Sequence, residues 1–171
     1  TLSPTGLPAY ALTPIIAVCD NLSLEPDVLG PATMPRIGDD VTTQPIALPF
    51  PFAYFKQPVT HWSVATNGFA QLHASVTGQT SNSFQGPAMP NVNIPNSVLA
   101  LLWTDLIPAG PQTHIRAMTT GMPPARTFTI EWLEFAFFAN GVGPERLQFQ
   151  LKLIEQGNVI EAEPRDRQYL G

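Results

Sequence analysis

Apolar residues recur at every second position through Ile46, Leu48, Phe50 and Phe52, the spacing that turns one face of a β-strand toward a core. A second run, Val59 to Thr66, ends at Asn67-Gly68. That corner favours positive φ at both central positions and predicts a hairpin continuing through residues 69–76. Farther along, Phe128, Ile130 and Trp132 alternate with Thr127, Thr129 and Glu131, and Leu147, Phe149, Leu151 and Leu153 alternate with Gln148, Gln150 and Lys152. Each is the pattern of a half-buried antiparallel strand, apolar inward and polar toward water. Gln156-Gly157-Asn158 then turns the chain into Val159-Ile160-Glu161-Ala162. Val98 to Trp103 is apolar on every side, which predicts a strand covered on both faces, with a short buried helix as the competing reading.

Between these runs lie helix breakers and turn formers. Prolines 26, 31 and 35 with glycines 30 and 38 exclude a long helix before Pro45, and residues 77–95 form a long polar connection without an apolar period. Eight or more strands separated by turn signals predict an all-β, antiparallel two-sheet β-sandwich, jelly-roll-like, with long loops. No repeat of 20 to 50 residues points to a solenoid or propeller. The boundaries read as an extended N-terminal arm over residues 1–9, the sandwich over 10–162 and a polar tail over 163–171. Within the sandwich, Tyr10 to Cys19 is expected as a first, edge strand interrupted by Pro14.

Composition narrows the function more than the fold. A chain of 171 residues with 44% hydrophobic content closes one core without metal or disulfide. Charged residues are only 12% while prolines number 19, so the surface is covered by Thr, Ser, Asn, Gln and proline-rich loops. A formal charge of -5 with no Lys/Arg run opposes nucleic acid as a partner. The longest apolar segments are too short to cross a bilayer. Cys19 is the single cysteine, which excludes an internal bridge and reads as a small buried hydrophobe.

An ordered series of short motifs runs through the chain: Asp39-Asp40, Ile46-x-Leu48-Pro49-Phe50-x-Phe52, Thr66-Asn67-Gly68-Phe69, Pro95-Asn96, Leu99-Ala100-x-x-Trp103-x-Asp105-Leu106, and Arg126-x-Phe128-x-Ile130-Glu131-Trp132. The series resembles β-sandwich modules of large secreted and surface proteins of bacteria and, more loosely, the nidogen-type extracellular domain. The likeness runs from about Tyr10 to Ala162. It implies a non-catalytic extracellular or cell-surface module of the kind carried by adhesins, surface-layer components or appendages of secreted hydrolases, acting through a protein partner. It also implies a further apolar strand after Ile160, where this chain carries Glu163-Pro164-Arg165-Asp166-Arg167-Gln168. A sheet lacking its last strand leaves an edge that another chain can pair with. Self-association or a partner strand would satisfy that edge, as would the N-terminal arm, and a plain disordered tail is the alternative.

Candidate chemistry is sparse. Asp39, Asp40 and Asp105 match acidic positions of the family pattern and offer hard oxygen ligands for calcium, the one cofactor considered. The competing role is turn hydrogen bonding. Trp62 beside His61 is the one plausible exposed ligand platform for a sugar, Trp103 and Trp132 being expected in the core. Glu131 and Glu134 suggest the paired carboxylates of a glycosidase, but residues three apart on a strand face opposite ways unless a bulge intervenes, so both read as solvated. His61, His73 and His114 show no ligand spacing, and nucleophile-elbow, zinc-protease and phosphate-loop motifs do not occur. Binding is therefore the expected activity, to a protein first and to carbohydrate second, with a non-catalytic role expected and a glycan hydrolase built on spatially assembled carboxylates as a distant third reading.

Overall fold

A computed structural model describes residues 13–14, 18–29, 38–84, 86, 96–138 and 146–165. The N-terminal arm expected over residues 1–9 lies outside the described residues. Two antiparallel sheets account for the strands among those described. The first is β1 (Ile46–Tyr54), β2 (Gln57–Ala65), β3 (Phe69–His73) and β4 (Val98–Ala100), in that order. The second contains β5 (Leu106–Pro108), β6 (His114–Thr120), β7 (Thr127–Phe137), β8 (Leu147–Ile154) and β9 (Val159–Arg165). Here β7, β8 and β9 are consecutive neighbours, while β6 and β5 pair with successive stretches of β7. Sequence neighbours thus stay together and the strands pass from one sheet to the other between β4 and β5, a meander rather than the interleaved path of a jelly roll.

The alternating apolar residues fill the space between the sheets. Phe50, Phe52, Trp62, Val64 and Leu72 from the first sheet meet Ile115, Phe128, Ile130, Trp132, Phe149 and Leu151 from the second in one cluster. Trp62 packs edge-on against Phe128 at 5.0 Å, and Trp132 stacks on Phe149 at 4.9 Å. The indole N–H of Trp132 donates across the layers to Ala65 O at 2.9 Å, which satisfies its one polar atom inside the core.

Several local expectations change. The β2–β3 loop has three residues, and of Asn67 and Gly68 only Gly68 takes positive φ, at 76°. A three-residue hairpin loop needs one left-handed residue rather than two. The β1–β2 turn instead places two non-glycine residues, Phe55 and Lys56, at φ 48° and 63°. The run Val98 to Trp103 is neither a doubly covered strand nor a helix. Only Val98–Ala100 pairs, on β3, and then Leu101 N and Leu102 N turn to donate to Gly68 O at 3.3 and 3.2 Å. Around Cys19, residues 18–20 are not a strand, and Cys19 itself is only half-buried. Finally, β9 runs through Glu163 and Pro164 to Arg165, opposite Gln150, Phe149 and Gln148, beyond the boundary expected after residue 162. Polar and proline residues continue the strand because they lie on the outermost ladder of the sheet, where a missing N–H costs least.

Candidate functional site

Three features outside the core carry chemistry: an acidic cluster, a buried polar layer and the edge strand β9.

The acidic cluster is assembled by the β2–β3 loop. Residues 41–43 pair with the end of β2, with Thr43 N donating to Val64 O at 3.0 Å and Thr66 N to Val41 O at 2.9 Å. That pairing sets Asp39 and Asp40 beside Asn67. The buried Asn67 side chain then joins three segments: its Nδ2 donates to Asp40 Oδ1 at 2.6 Å and to Asn82 O at 3.1 Å, and its Oδ1 accepts from Leu106 N at 2.9 Å. Since Asp105 precedes Leu106, one carboxylate oxygen from each of Asp39, Asp40 and Asp105 falls within 4.8 Å of the others. Burial pushes the Asp39 carboxyl up, and the neighbouring Asp40 charge adds to it. Asp105 is raised in the same order, by burial and then by Asp39 and Asp40. Like charges held together in this way stabilise a bound cation as readily as a proton.

The polar layer is the outer face of the second sheet, and it overturns the expectation of a solvated surface. Thr129, Glu131, Gln148, Gln150, Lys152, Glu163 and His114 are all buried. Residues 18–22 lie across them, and Asp27 and Val28 pair with the outer side of β6. Glu131, 3% exposed, accepts from His114 Nε2 at 3.1 Å through Oε1 and from Gln148 and Gln150 Nε2 at 2.8 Å each through Oε2. Burial alone would raise its pKa, but the donors of His114, Gln150 and Gln148 together hold it below the usual carboxylate value. Lys152 Nζ lies 3.1 Å from Glu163 Oε2 and 3.4 Å from Asp20 Oδ2. Desolvation would depress this ammonium, yet Glu163 and Asp20 outweigh it and keep its pKa above the ordinary value. Arg116 Nε, also covered, has no hydrogen-bond partner among the described residues.

Other singled-out residues separate. Trp62 is 2% exposed and its indole belongs to the core, so it offers no face to a sugar ring; the apolar period that includes it turns it inward. His61 sits opposite His73 across β2 and β3, on the other face of the sheet from Trp62. Its Nδ1 meets Thr60 Oγ1 at 2.8 Å, and His73 Nε2 meets Ser63 Oγ at 2.8 Å. Trp103 donates to Ser83 O at 3.0 Å and packs on Phe69 at 4.8 Å. A bulge does occur between Glu131 and Glu134: the β7–β8 register shifts between Leu133 and Phe135, with Glu134 at φ 58°. Glu134 accepts from Gln112 N at 2.8 Å in the turn before β6, while Glu131 is sealed beneath residues 18–29. Neither residue is the solvated side chain expected of a free strand face, and they do not share an open cleft.

β9 ends the second sheet, and its outer side meets no strand among the described residues, as is also true of β1 and β4 at the two ends of the first sheet. Ala162 is exposed there and Val159 is largely so.

A family sequence model described as NIDO related matches residues 27–168. The chain belongs to the NIDO-related family. The matched stretch of this NIDO-related domain takes in both sheets, the acidic cluster and the polar layer. It opens at Asp27, after Asp20 and Leu22. No curated protein and no solved structure matches the chain.

Sequence reasoning found Asp39, Asp40 and Asp105 but missed the polar layer. The available signal was chemical pairing between strands: Glu131 and Glu163 against His114, Gln148, Gln150 and Lys152, too many complementary groups on one sheet face for independent solvation.

Proposed function

We propose that this NIDO-related domain is a non-catalytic extracellular interaction module, engaging a protein partner by strand pairing at the β9 edge. Family membership supports the class, since NIDO-related domains are generally of the extracellular type. The observation that carries the binding mode is β9 itself, a seven-residue strand whose outer ladder meets no other strand among the described residues. Such a row of N–H and C=O groups is a template for a further strand. The partner can be a second copy, and that form is directly measurable. Sedimentation velocity across a concentration series is expected to show reversible self-association, which Ala162→Lys weakens by placing a solvated charge on the edge. A monomer at all concentrations, unchanged by the substitution, overturns self-pairing through β9.

A second reading concerns calcium, favoured by the convergence of Asp39, Asp40 and Asp105 within 4.8 Å. These residues supply the hard oxygens that calcium prefers. The ion would pin residues 39–40 to the β2–β3 loop and to the start of β5, ordering one end of the sandwich. Adding calcium to chelator-treated protein is expected to raise its melting temperature, and Asp105→Asn to abolish that response. No response in the parent protein sinks this reading while leaving the interaction role intact.

A further inference from the structure

Residues 18–22 are held on the outer face of the second sheet largely through their backbone, and Asp27 and Val28 then pair with the outer side of β6. The Gln150 side chain accepts from Asp20 N at 2.8 Å and donates to Asp20 O at 2.7 Å, pairing with one residue of extended chain much as a neighbouring strand would. Lys152 Nζ donates to Val18 O at 2.6 Å and Arg116 to Leu22 O at 3.3 Å, while Val28 N donates to Ile115 O at 2.9 Å. These contacts read main chain and are indifferent to side-chain identity.

Selectivity on the face comes from two positions, while Val28 and Leu29 pack against the core at its margin. Asp20 Oδ2 accepts from Thr129 Oγ1 at 2.7 Å and faces the Lys152 ammonium at 3.4 Å. Leu22, 1% exposed, is fully buried. Charge is complementary as well. Arg116 and Lys152 on the sheet face a segment carrying Asp20, Glu25 and Asp27, whereas the sheet's own Glu131 and Glu163 are engaged by His114 and Lys152.

We propose that this face is a receptor for an extended polypeptide bearing a carboxylate two residues before a leucine, that residues 18–29 occupy it in cis, and that the same segment of a second copy can occupy it in trans. When the segment leaves, Thr129, Gln150, Lys152 and Arg116 pass to water, while the apolar surface covered by Leu22, Val28 and Leu29 must be covered again, which favours replacement by an identical segment over an empty face. The family match covers the receptor strands and residues 27–29 of the segment, and begins after Asp20 and Leu22. A tethered occupant acts at an effective concentration on the order of millimolar. Exchange therefore needs either crowded copies, as on a surface, or a weakened cis contact. This surface is distinct from the β9 edge.

The test uses the full chain and a fluorescent peptide of residues 18–29 with Cys19→Ser, followed by anisotropy. Asp20→Ala with Leu22→Ala in the protein weakens the cis occupant, and peptide binding is expected to tighten by at least about tenfold over the parent. Binding is expected to vanish when the peptide carries those two substitutions, or when Gln150→Ala is added to the protein. Ala162→Lys is expected to leave it unchanged, which keeps this result separate from the β9 reading. Should circular dichroism show that the double variant does not fold, Asp20→Asn, which preserves the backbone and Leu22, takes its place and must still bind more tightly than the parent. No binding to a folded, weakened variant, or equal binding of a scrambled peptide, overturns the proposal.

Discussion

Replacing Glu131 with glutamine changes one buried atom of the polar layer and isolates what its charge does. In the parent, Oε2 accepts from two glutamine amides at 2.8 Å and Oε1 accepts from His114 Nε2 at 3.1 Å. A glutamine there has one acceptor oxygen and one NH₂ group. If the oxygen keeps the two amides, the NH₂ confronts His114 Nε2, which must surrender its proton and become an acceptor to avoid a donor–donor contact. Losing a charge-assisted bond in a site closed to water costs about 1.5–3 kcal/mol. For a domain of this length each kcal/mol lowers the melting temperature by about 2–4 °C, so calorimetry near neutral pH should find Glu131→Gln about 3–12 °C less stable than the parent. The pH dependence has a definite sign. Because the folded-state pKa of Glu131 lies below its ordinary value, the folded protein binds fewer protons than the unfolded chain between the two. Its stabilisation is full above the ordinary value and is lost as pH falls through the folded one. The variant should lack that portion of the acid slope, and the difference between the two proteins should shrink toward acid. A variant indistinguishable from the parent at neutral pH would mean that Glu131 is solvated, and the closed polar layer would be refuted.

Other perturbations follow from single positions. Gly68→Ala meets both a positive φ of 76° and a methyl placed 3.1 Å from Leu106 Cδ1 and 3.2 Å from Leu102 Cβ; chemical denaturation should show a loss of about 1–3 kcal/mol. His73 is pushed below its ordinary pKa by burial first and then by the facing His61. The unfolded chain therefore takes up a proton more readily, so stability should decline as pH falls below about 6.5 toward the folded value. His73→Gln should flatten that decline in thermal melts between pH 7 and 5, and an unchanged profile would place the acid sensitivity elsewhere.

The two layers were legible in the chain because a period of two leaves few choices once Phe50, Phe52, Phe128, Ile130, Phe149 and Leu151 must share a core. The acidic cluster was legible as residue types; its convergence was not, since it depends on Asn67 bonding to Asp40, Asn82 and Leu106 across long sequence separations. Alternation misled where a sheet is covered on both sides. Glu131, Gln148, Gln150 and Lys152 carry the pattern of a solvent face, yet Glu131 takes its hydrogen bonds from His114, Gln148 and Gln150 within the sheet, and a segment more than a hundred residues away supplies those of Gln150 and Lys152 that water would have made. Trp62 shows the converse: its neighbour His61 suggested an accessible pair, but adjacent strand residues face opposite ways and the indole went to the core. The bulge at Glu134 follows from a single left-handed residue with no glycine to announce it.

Amide hydrogen exchange resolved along the chain tests the central arrangement most directly. With residues 18–29 seated on the second sheet, Asp20 and Val28 amides should be protected well beyond free-peptide rates, and should open at lower free energy than β7 and β8 beneath them. Exchange of Asp20 and Val28 at free-peptide rates, with β7 and β8 still protected, would show that nothing covers the polar face and would contradict the account.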